Sequence, residues 1–203
     1  MSDRENITAA RLLRSVCVFC GSNVGKNPLY AQAARALGSE LARRNKRLVY
    51  GGAQVGLMGI VAEAALAGGG EVIGVMPEAL MAKEAAHRTL SDLRVVGTMH
   101  ERKALMADLS DAFVALPGGM GTFEEFCEIV TWAQIGLHHK PCILYNIAGY
   151  FDPLLALVDH AITEEFIRPE QRSLVLEAAS LDELFVLLET YRPAVPDKWV
   201  EKA

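Results

Sequence analysis

The sequence predicts a single-domain α/β protein, a parallel sheet with helices on both faces. Three observations predict it. Short apolar runs alternate with helix-length segments along the chain, the pattern of strands joined by crossover helices. The runs are continuously apolar, as in Ala112-Phe113-Val114-Ala115-Leu116, and strands of that kind are buried on both faces. No internal repeat, low-complexity stretch or linker divides the chain, so residues 15–191 are expected to form one domain.

Residues 1–14 are polar and mixed in charge and read as a leader, either mobile or a short lead-in helix. The run 15–20 is a first strand, with a turn at Gly21-Ser22-Asn23. Asn27-Pro28 starts a helix, with Asn as cap and Pro in the first turn, that runs to about residue 44. Residues 47–50 are a second strand, closed by Gly51-Gly52. Gly56-Leu57-Met58-Gly59 opens a second helix, which stops at Gly68-Gly69-Gly70. The third strand, 71–76, ends at Pro77. Residues 79–87 read as one or two helical turns over a loop. A short strand at 93–96 leads to a helix at 100–109, the strand 112–116 and a helix at 121–137. A strand at 141–145, a helix at 153–165 and a weaker strand at 173–177 follow. Ser180-Leu181-Asp182-Glu183 is a capping box that opens the last helix, to about residue 191. The tail, 192–203, holds Pro193 and Pro196 and is expected to be loose. The arrangement is Rossmann-like. In such open sheets ligands bind outside the carboxyl ends of the strands, at a topological switch point. Here those ends are Cys20-Gly21-Ser22, Tyr50-Gly51-Gly52, Met76-Pro77-Glu78 and Leu116-Pro117-Gly118-Gly119, and three of the four carry glycine.

Composition excludes several classes. Hydrophobic content of 51% and a mean hydropathy of +0.20 exclude disorder. A net charge of -5 without a basic stripe argues against nucleic acid as a partner. No apolar run approaches the ~20 residues of a membrane span, and the first residues lack the apolar stretch of a signal peptide, so a cytoplasmic location is expected. Cys17, Cys20, Cys127 and Cys142 are expected to be buried structural thiols. Cys17 and Cys20 have CxxC spacing, but residues three apart on a strand point to opposite faces. No second pair completes a zinc site, so no metal and no cofactor are expected.

The chemistry concentrates at Pro117-Gly118-Gly119-Met120-Gly121-Thr122-Phe123-Glu124-Glu125, a strand end, a glycine turn and a helix start. Glycines let backbone N–H groups approach a ligand, and a helix N-terminus suits a phosphate. This is neither a P-loop, since no Gly-Lys-Ser/Thr follows, nor the dinucleotide fingerprint, which belongs after the first strand. Glu124 and Glu125 put carboxylates beside a phosphate-shaped turn. They either suit the helix dipole or perform acid–base work. Glu125, Glu128 and Trp132 share one helical stripe, which the tryptophan implies is partly buried. Arg102 and Lys103 stand early in their helix, where the dipole disfavours cations; they either call for an anion or form a solvated pair on an amphipathic helix. His100 is read as a capping or core residue. Ser22 either donates to an anion or caps its loop. His138-His139-Lys140 complements a helix end.

The segment 117–125 resembles the signature P-G-G-x-G-T-x-x-E of the LOG (LONELY GUY) family, the cytokinin riboside 5'-monophosphate phosphoribohydrolases, many of which were long labelled possible lysine decarboxylases. Cys20-Gly21-Ser22, Tyr50-Gly51-Gly52, Gly56-Leu57-Met58-Gly59, Met99-His100-Glu101-Arg102-Lys103 and Thr131-Trp132-Ala133-Gln134 are similar to its other blocks, in the same order. Ala53 stands where a third glycine is common, and Met120 at a variable position. The resemblance implies hydrolysis of the N-glycosidic bond of a nucleoside 5'-monophosphate to free base and ribose 5-phosphate, with Arg102 and Glu125 as the catalytic pair. It implies substrate contacts from Glu84, Arg102, Lys103, Gly118, Gly119, Met120, Gly121, Thr122, Phe123, Glu124, Glu125 and Thr131. It also implies a homodimer with the active site near the interface.

The residues suit that chemistry. A carboxylate at the ribose stabilises an oxocarbenium-like state or orients water. Arg102 either clamps the phosphate or pairs with Glu125 and keeps it ionised. Two alternatives stand beside it: a nucleotide- or cofactor-binding protein of the same fold without turnover, and a pyridoxal-dependent decarboxylase using Lys140. Thr131 follows Glu125 by six residues, roughly 240° round a helix and about 9 Å along it. One chain therefore cannot easily aim both at one small ligand, and a shared site in a symmetric dimer is expected.

Overall fold

The strand Ser15–Phe19 (β1) is buried at every position and lies at the centre of the sheet. The computed structural model describes residues 13–81, 86–87, 90 and 92–193. Among these, six more strands join β1: Arg47–Tyr50 (β2), Val72–Pro77 (β3), Asp92–Val96 (β4), Ala112–Ala115 (β5), Cys142–Tyr145 (β6) and Leu176–Ala178 (β7). Their order is β4-β3-β2-β1-β5-β6-β7, and each neighbouring pair is parallel. The chain builds outward from β1 to β4, returns to pair β5 with β1, and builds outward on the other side. The tips of β1 and β5 therefore form the switch point that the strand pattern calls for.

Among the described residues there are six α-helices: Pro28–Arg43 (α1), Gly56–Ala67 (α2), Met99–Asp108 (α3), Met120–Gln134 (α4), Asp152–Thr163 (α5) and Leu181–Thr190 (α6). Helices α1 to α5 each link two successive strands, α6 follows β7, and the link from β3 to β4 begins with the 3-10 turn Glu78–Leu80. The period of two in β1 divides the core. Val16 and Val18 pack with α1, α2 and α6, whereas Cys17 and Phe19 pack with α3, α4 and α5. Cys17 and Cys20 fall in different clusters, as their spacing on a strand requires. The caps follow the sequence. Asn27 Oδ1 accepts from the Leu29 N–H at 3.0 Å, and Ser180 and Glu183 form the capping box of α6. No helix among the described residues is long and apolar enough to cross a membrane.

The structure departs from the sequence reading at several places. The last strand is shorter and later than 173–177, because Pro169–Leu174 is a 3-10 helix and only Leu176–Ala178 pairs with β6. Helix α4 stops at Gln134 instead of 137, because Gly136 takes φ +81 and the Leu137 N–H turns back to the Trp132 carbonyl. In the segment 79–87, Glu78–Leu80 is a 3-10 turn and Ala86 bridges Ala53 in antiparallel fashion; residues 82–85 lie outside the described residues. Cys127 is exposed, not buried. Helical spacing puts it next to the buried Phe126, but it faces a groove between α4 and α5. His100 is exposed and caps nothing. The cap of α3 is Thr98, whose hydroxyl accepts from the Glu101 N–H.

Candidate active site

Backbone builds the site first. The turn after β5 is tied to the turn after β1, since the Gly21 N–H donates to the Pro117 carbonyl at 3.0 Å. The Gly21 carbonyl accepts from the Leu57 N–H, also at 3.0 Å, which brings the start of α2 to the same point. Three strand-to-helix connections thus meet with almost no side chains between them. Gly118 shows why. A Cβ there would stand 2.0 Å from Thr122 Oγ1 and 2.8 Å from the Gly21 nitrogen. Gly119 and Gly121 differ: a Cβ on either meets nothing within 4 Å. Gly118 is a packing glycine, whereas its two neighbours border open space at the N-terminus of α4.

The side chains of α4 then divide. Thr122 is buried beneath Gly118. Phe123 packs on Tyr150 and Phe151, with ring centroids 6.5 Å from each. Met120 is 81% exposed. Glu125 turns inward to α3. Its Oε1 accepts from Arg102 Nη1 at 3.0 Å, and the two side chains are only 11% and 10% exposed. Arg102 also donates from Nε to the Val75 carbonyl of β3 at 3.0 Å, one residue past the last β2 pairing at Gly74. Beside this pair, Lys103 Nζ pairs with Glu124 and, at 3.0 Å, with Glu128 Oε2. Burial works against the Lys103 ammonium, but the two carboxylates outweigh it and raise its pKa above the ordinary lysine value. The anions that Arg102 and Lys103 call for in the sequence are thus the carboxylates of α4. The buried Cys17 and Cys20 thiols are held protonated, by burial first and by the nearby Glu125 charge second.

On the other side of the Pro117–Gly119 turn, a crevice of about 240 Å³ opens between the β1 loop, Tyr30 of α1 and Tyr150. Ser22, Asn23, Gly118 and Gly119 line it. The Tyr150 hydroxyl donates to the Gly118 carbonyl and fixes that peptide. Asn23, Tyr30 and Tyr150 line this crevice and are not among the candidate site residues of the sequence. Only Ser22 was within its reach, as one of two alternatives; the tyrosines carry no motif and arrive from distant elements.

The structure thus brings together Arg102, Lys103, Gly118, Gly119, Met120, Gly121, Thr122, Phe123, Glu124 and Glu125. It does not bring Thr131 to them. Thr131 is exposed, its hydroxyl donates to the Cys127 carbonyl at 2.7 Å, and it lines the apolar groove formed by α4, α5 and the 3-10 helix. Glu84 lies outside the described residues. Lys140 donates from Nζ to the Ala107 carbonyl at 2.8 Å, over the face of Phe113. It therefore serves the C-terminal end of α3, while His138 Nε2 meets the Ile129 carbonyl of α4. Among the described residues, no group of three or more His, Cys, Asp or Glu is placed to hold a metal ion.

Comparison with known proteins is consistent across the chain. Residues 58–188 match the model of a family described as possible lysine decarboxylase. A cytokinin riboside 5'-monophosphate phosphoribohydrolase of Rhodococcoides fascians is 54% identical over 170 residues, 83% of this chain and 86% of that protein. One of Arabidopsis thaliana is 50% identical over 180 residues, 89% of this chain and 84% of that protein. The molybdenum cofactor carrier protein of Chlamydomonas reinhardtii shares the fold, with a TM-score of 0.66 at 21% identity over 87% of this chain and 96% of that one. A molybdenum cofactor binding protein of Rippkaea orientalis is similar, with a TM-score of 0.65 at 22% identity over 87% and 95%.

Proposed function

Because the chain belongs to the LOG family of cytokinin riboside 5'-monophosphate phosphoribohydrolases, we propose that it hydrolyses the N-glycosidic bond of nucleoside 5'-monophosphates to free base and ribose 5-phosphate. The observation that carries this reading at the residue level is the buried Arg102–Glu125 pair next to an open glycine turn. Holding a phosphate needs the turn, but it gives no reason to bury a carboxylate beside it.

The roles follow from position. The N–H groups at the start of α4, reached past Gly119 and Gly121, take the phosphate. The ribose then lies over Glu125. As the C1′–N bond breaks, positive charge grows on the sugar, and a carboxylate held in place stabilises it or orients the water that attacks C1′. The water oxygen forms the new bond to C1′, and the departing base takes up a proton. Arg102 acts as the positioner of Glu125 rather than as a phosphate clamp, since two of its nitrogens are already committed to Glu125 and Val75.

A homodimer belongs to the proposal. Thr131 and the groove between α4 and α5 face away from Glu125, so Thr131 reaches a substrate only in a partner's site. A cytoplasmic setting also belongs to it, supported by the exposed free thiol of Cys127.

The test is incubation with AMP and isopentenyladenosine monophosphate, and with the matching nucleosides, followed by chromatography for free base. Base is expected from the monophosphates and little from the nucleosides. Equal rates on AMP and adenosine would remove the phosphate anchor, and no base from any of the four would remove the hydrolase.

A further inference from the structure

We infer that Gly51 is a positioning residue for Arg102: the absence of a side chain at the tip of β2 is what lets the guanidinium lie where it meets Glu125. The inference deepens the proposed function and rests on that reading of the Arg102–Glu125 pair.

Gly51 and Gly52 look alike in sequence but are glycine for different reasons. Gly52 has φ +80, a conformation that L side chains rarely adopt. Gly51 is not among the positive-φ glycines, so its backbone does not by itself require glycine. What excludes a side chain there is a neighbour. A Cβ on Gly51 would lie 2.1 Å from Arg102 Nη2 and 3.3 Å from its Cζ, with Met58 Sδ at 3.2 Å. The guanidinium occupies the space that the missing methyl leaves.

Arg102 is therefore fixed from three directions. Nε donates to the Val75 carbonyl of β3, Nη1 donates to Glu125 on α4, and Nη2 lies against Gly51 after β2. The atoms that a methyl would strike first belong to a flexible side chain, not to backbone, so the fold can accept alanine and the arginine must yield. Reaching ordinary contact from 2.1 Å means a shift of more than about 1 Å. A shift of that size breaks the 3.0 Å contact with Glu125, and misplacement by about 1 Å costs on the order of 100-fold in rate.

The experiment compares Gly51→Ala, Arg102→Lys and the double variant in crystal structure, thermal melting and AMP hydrolysis. In Gly51→Ala the Arg102–Glu125 contact is expected to open. Its kcat should fall about 10- to 100-fold, with KM within about twofold of wild type because the phosphate turn is untouched. In the Arg102→Lys background, where the branched guanidinium is gone, adding Gly51→Ala should change kcat by less than about twofold. An intact Arg102–Glu125 contact in the Gly51→Ala crystal, or the same loss of kcat in both backgrounds, overturns the inference. If Gly51→Ala alone does not fold, folding of the double variant supports the steric argument and failure of both overturns it. Wild-type enzyme that releases no base removes the hydrolase reading, and the crystal comparison then decides the steric inference by itself.

Discussion

Arg102 Nη1 stands 3.0 Å from Glu125 Oε1, and the two side chains come from helices that begin at different strand tips, β4 and β5. Glu125→Gln keeps the acceptor oxygen for Arg102 and removes the charge. The variant should melt close to wild type and still bind AMP by calorimetry, while kcat falls about 10²- to 10⁴-fold. Near-normal turnover would show that another group supplies the carboxylate. Glu124→Gln should lose less than about tenfold, because Lys103 keeps Glu128 as a partner.

The glycines of the turn should separate by assay. Gly118→Ala drives a methyl against Thr122 Oγ1 and the Gly21 nitrogen, and overpacking of this kind costs about 1–3 kcal/mol. Its melting temperature should drop by several degrees. Gly121→Ala meets nothing in the protein and improves helix propensity, so it should melt at or slightly above wild type. Its methyl enters the space assigned to the phosphate, and KM for AMP should rise at least about tenfold. A normal KM in Gly121→Ala would place the phosphate elsewhere.

Complementation tests the shared site. Glu125→Gln chains mixed with chains carrying Thr131→Trp should recover part of the wild-type activity, since some mixed dimers hold one site with both residues intact. Proven chain exchange without recovery would put both residues in one subunit's site.

Acid stability should depend on Glu40. Its carboxylate, on α1, bonds Arg43 and Arg44, and these partners lower its pKa from 4.5 to about 2. Arg44 continues to Glu189 and lies over the ring of Phe185, both on α6. A folded-state pKa below the unfolded one gives stability that is complete above about pH 4.5 and lost as pH falls through about 2. Glu40→Gln should therefore lower the melting temperature by about 2–4 °C at pH 7, corresponding to about 1 kcal/mol for the pair of contacts. The difference should vanish near pH 2. A difference that stays constant with pH would point to packing instead of charge.

The sheet was legible in the sequence because its signal is local. Runs such as 15–19 and 112–115 are apolar on both faces, and that pattern needs no knowledge of the partner strand. β7 was misplaced because it has only three residues at the edge of the sheet, too few to show a pattern, and the apolar run Leu174-Val175-Leu176 straddles the end of the 3-10 helix and the start of the strand. At the site, the glycine turn and its acids stood out as a motif. The roles of Gly51 and Tyr150 did not, because each depends on one contact across the fold, with Arg102 and with the Gly118 carbonyl. The exposure of Cys127 was hidden for a similar reason. Helical periodicity identifies a stripe, but which edge of that stripe lies over a groove is set by α5.

The strand order carries a cost during synthesis. β1 can pair with β2 soon after both leave the ribosome, but its other edge waits for β5, because Val16 is in register with Ala112. At about 5–20 residues per second, translation of the intervening chain takes on the order of ten seconds. Through that interval a strand that the finished fold buries at every position presents a bare edge, the kind that templates aggregation or engages a chaperone. The placement that later encloses β1 on every side makes it, while the chain is half made, the segment most in need of protection.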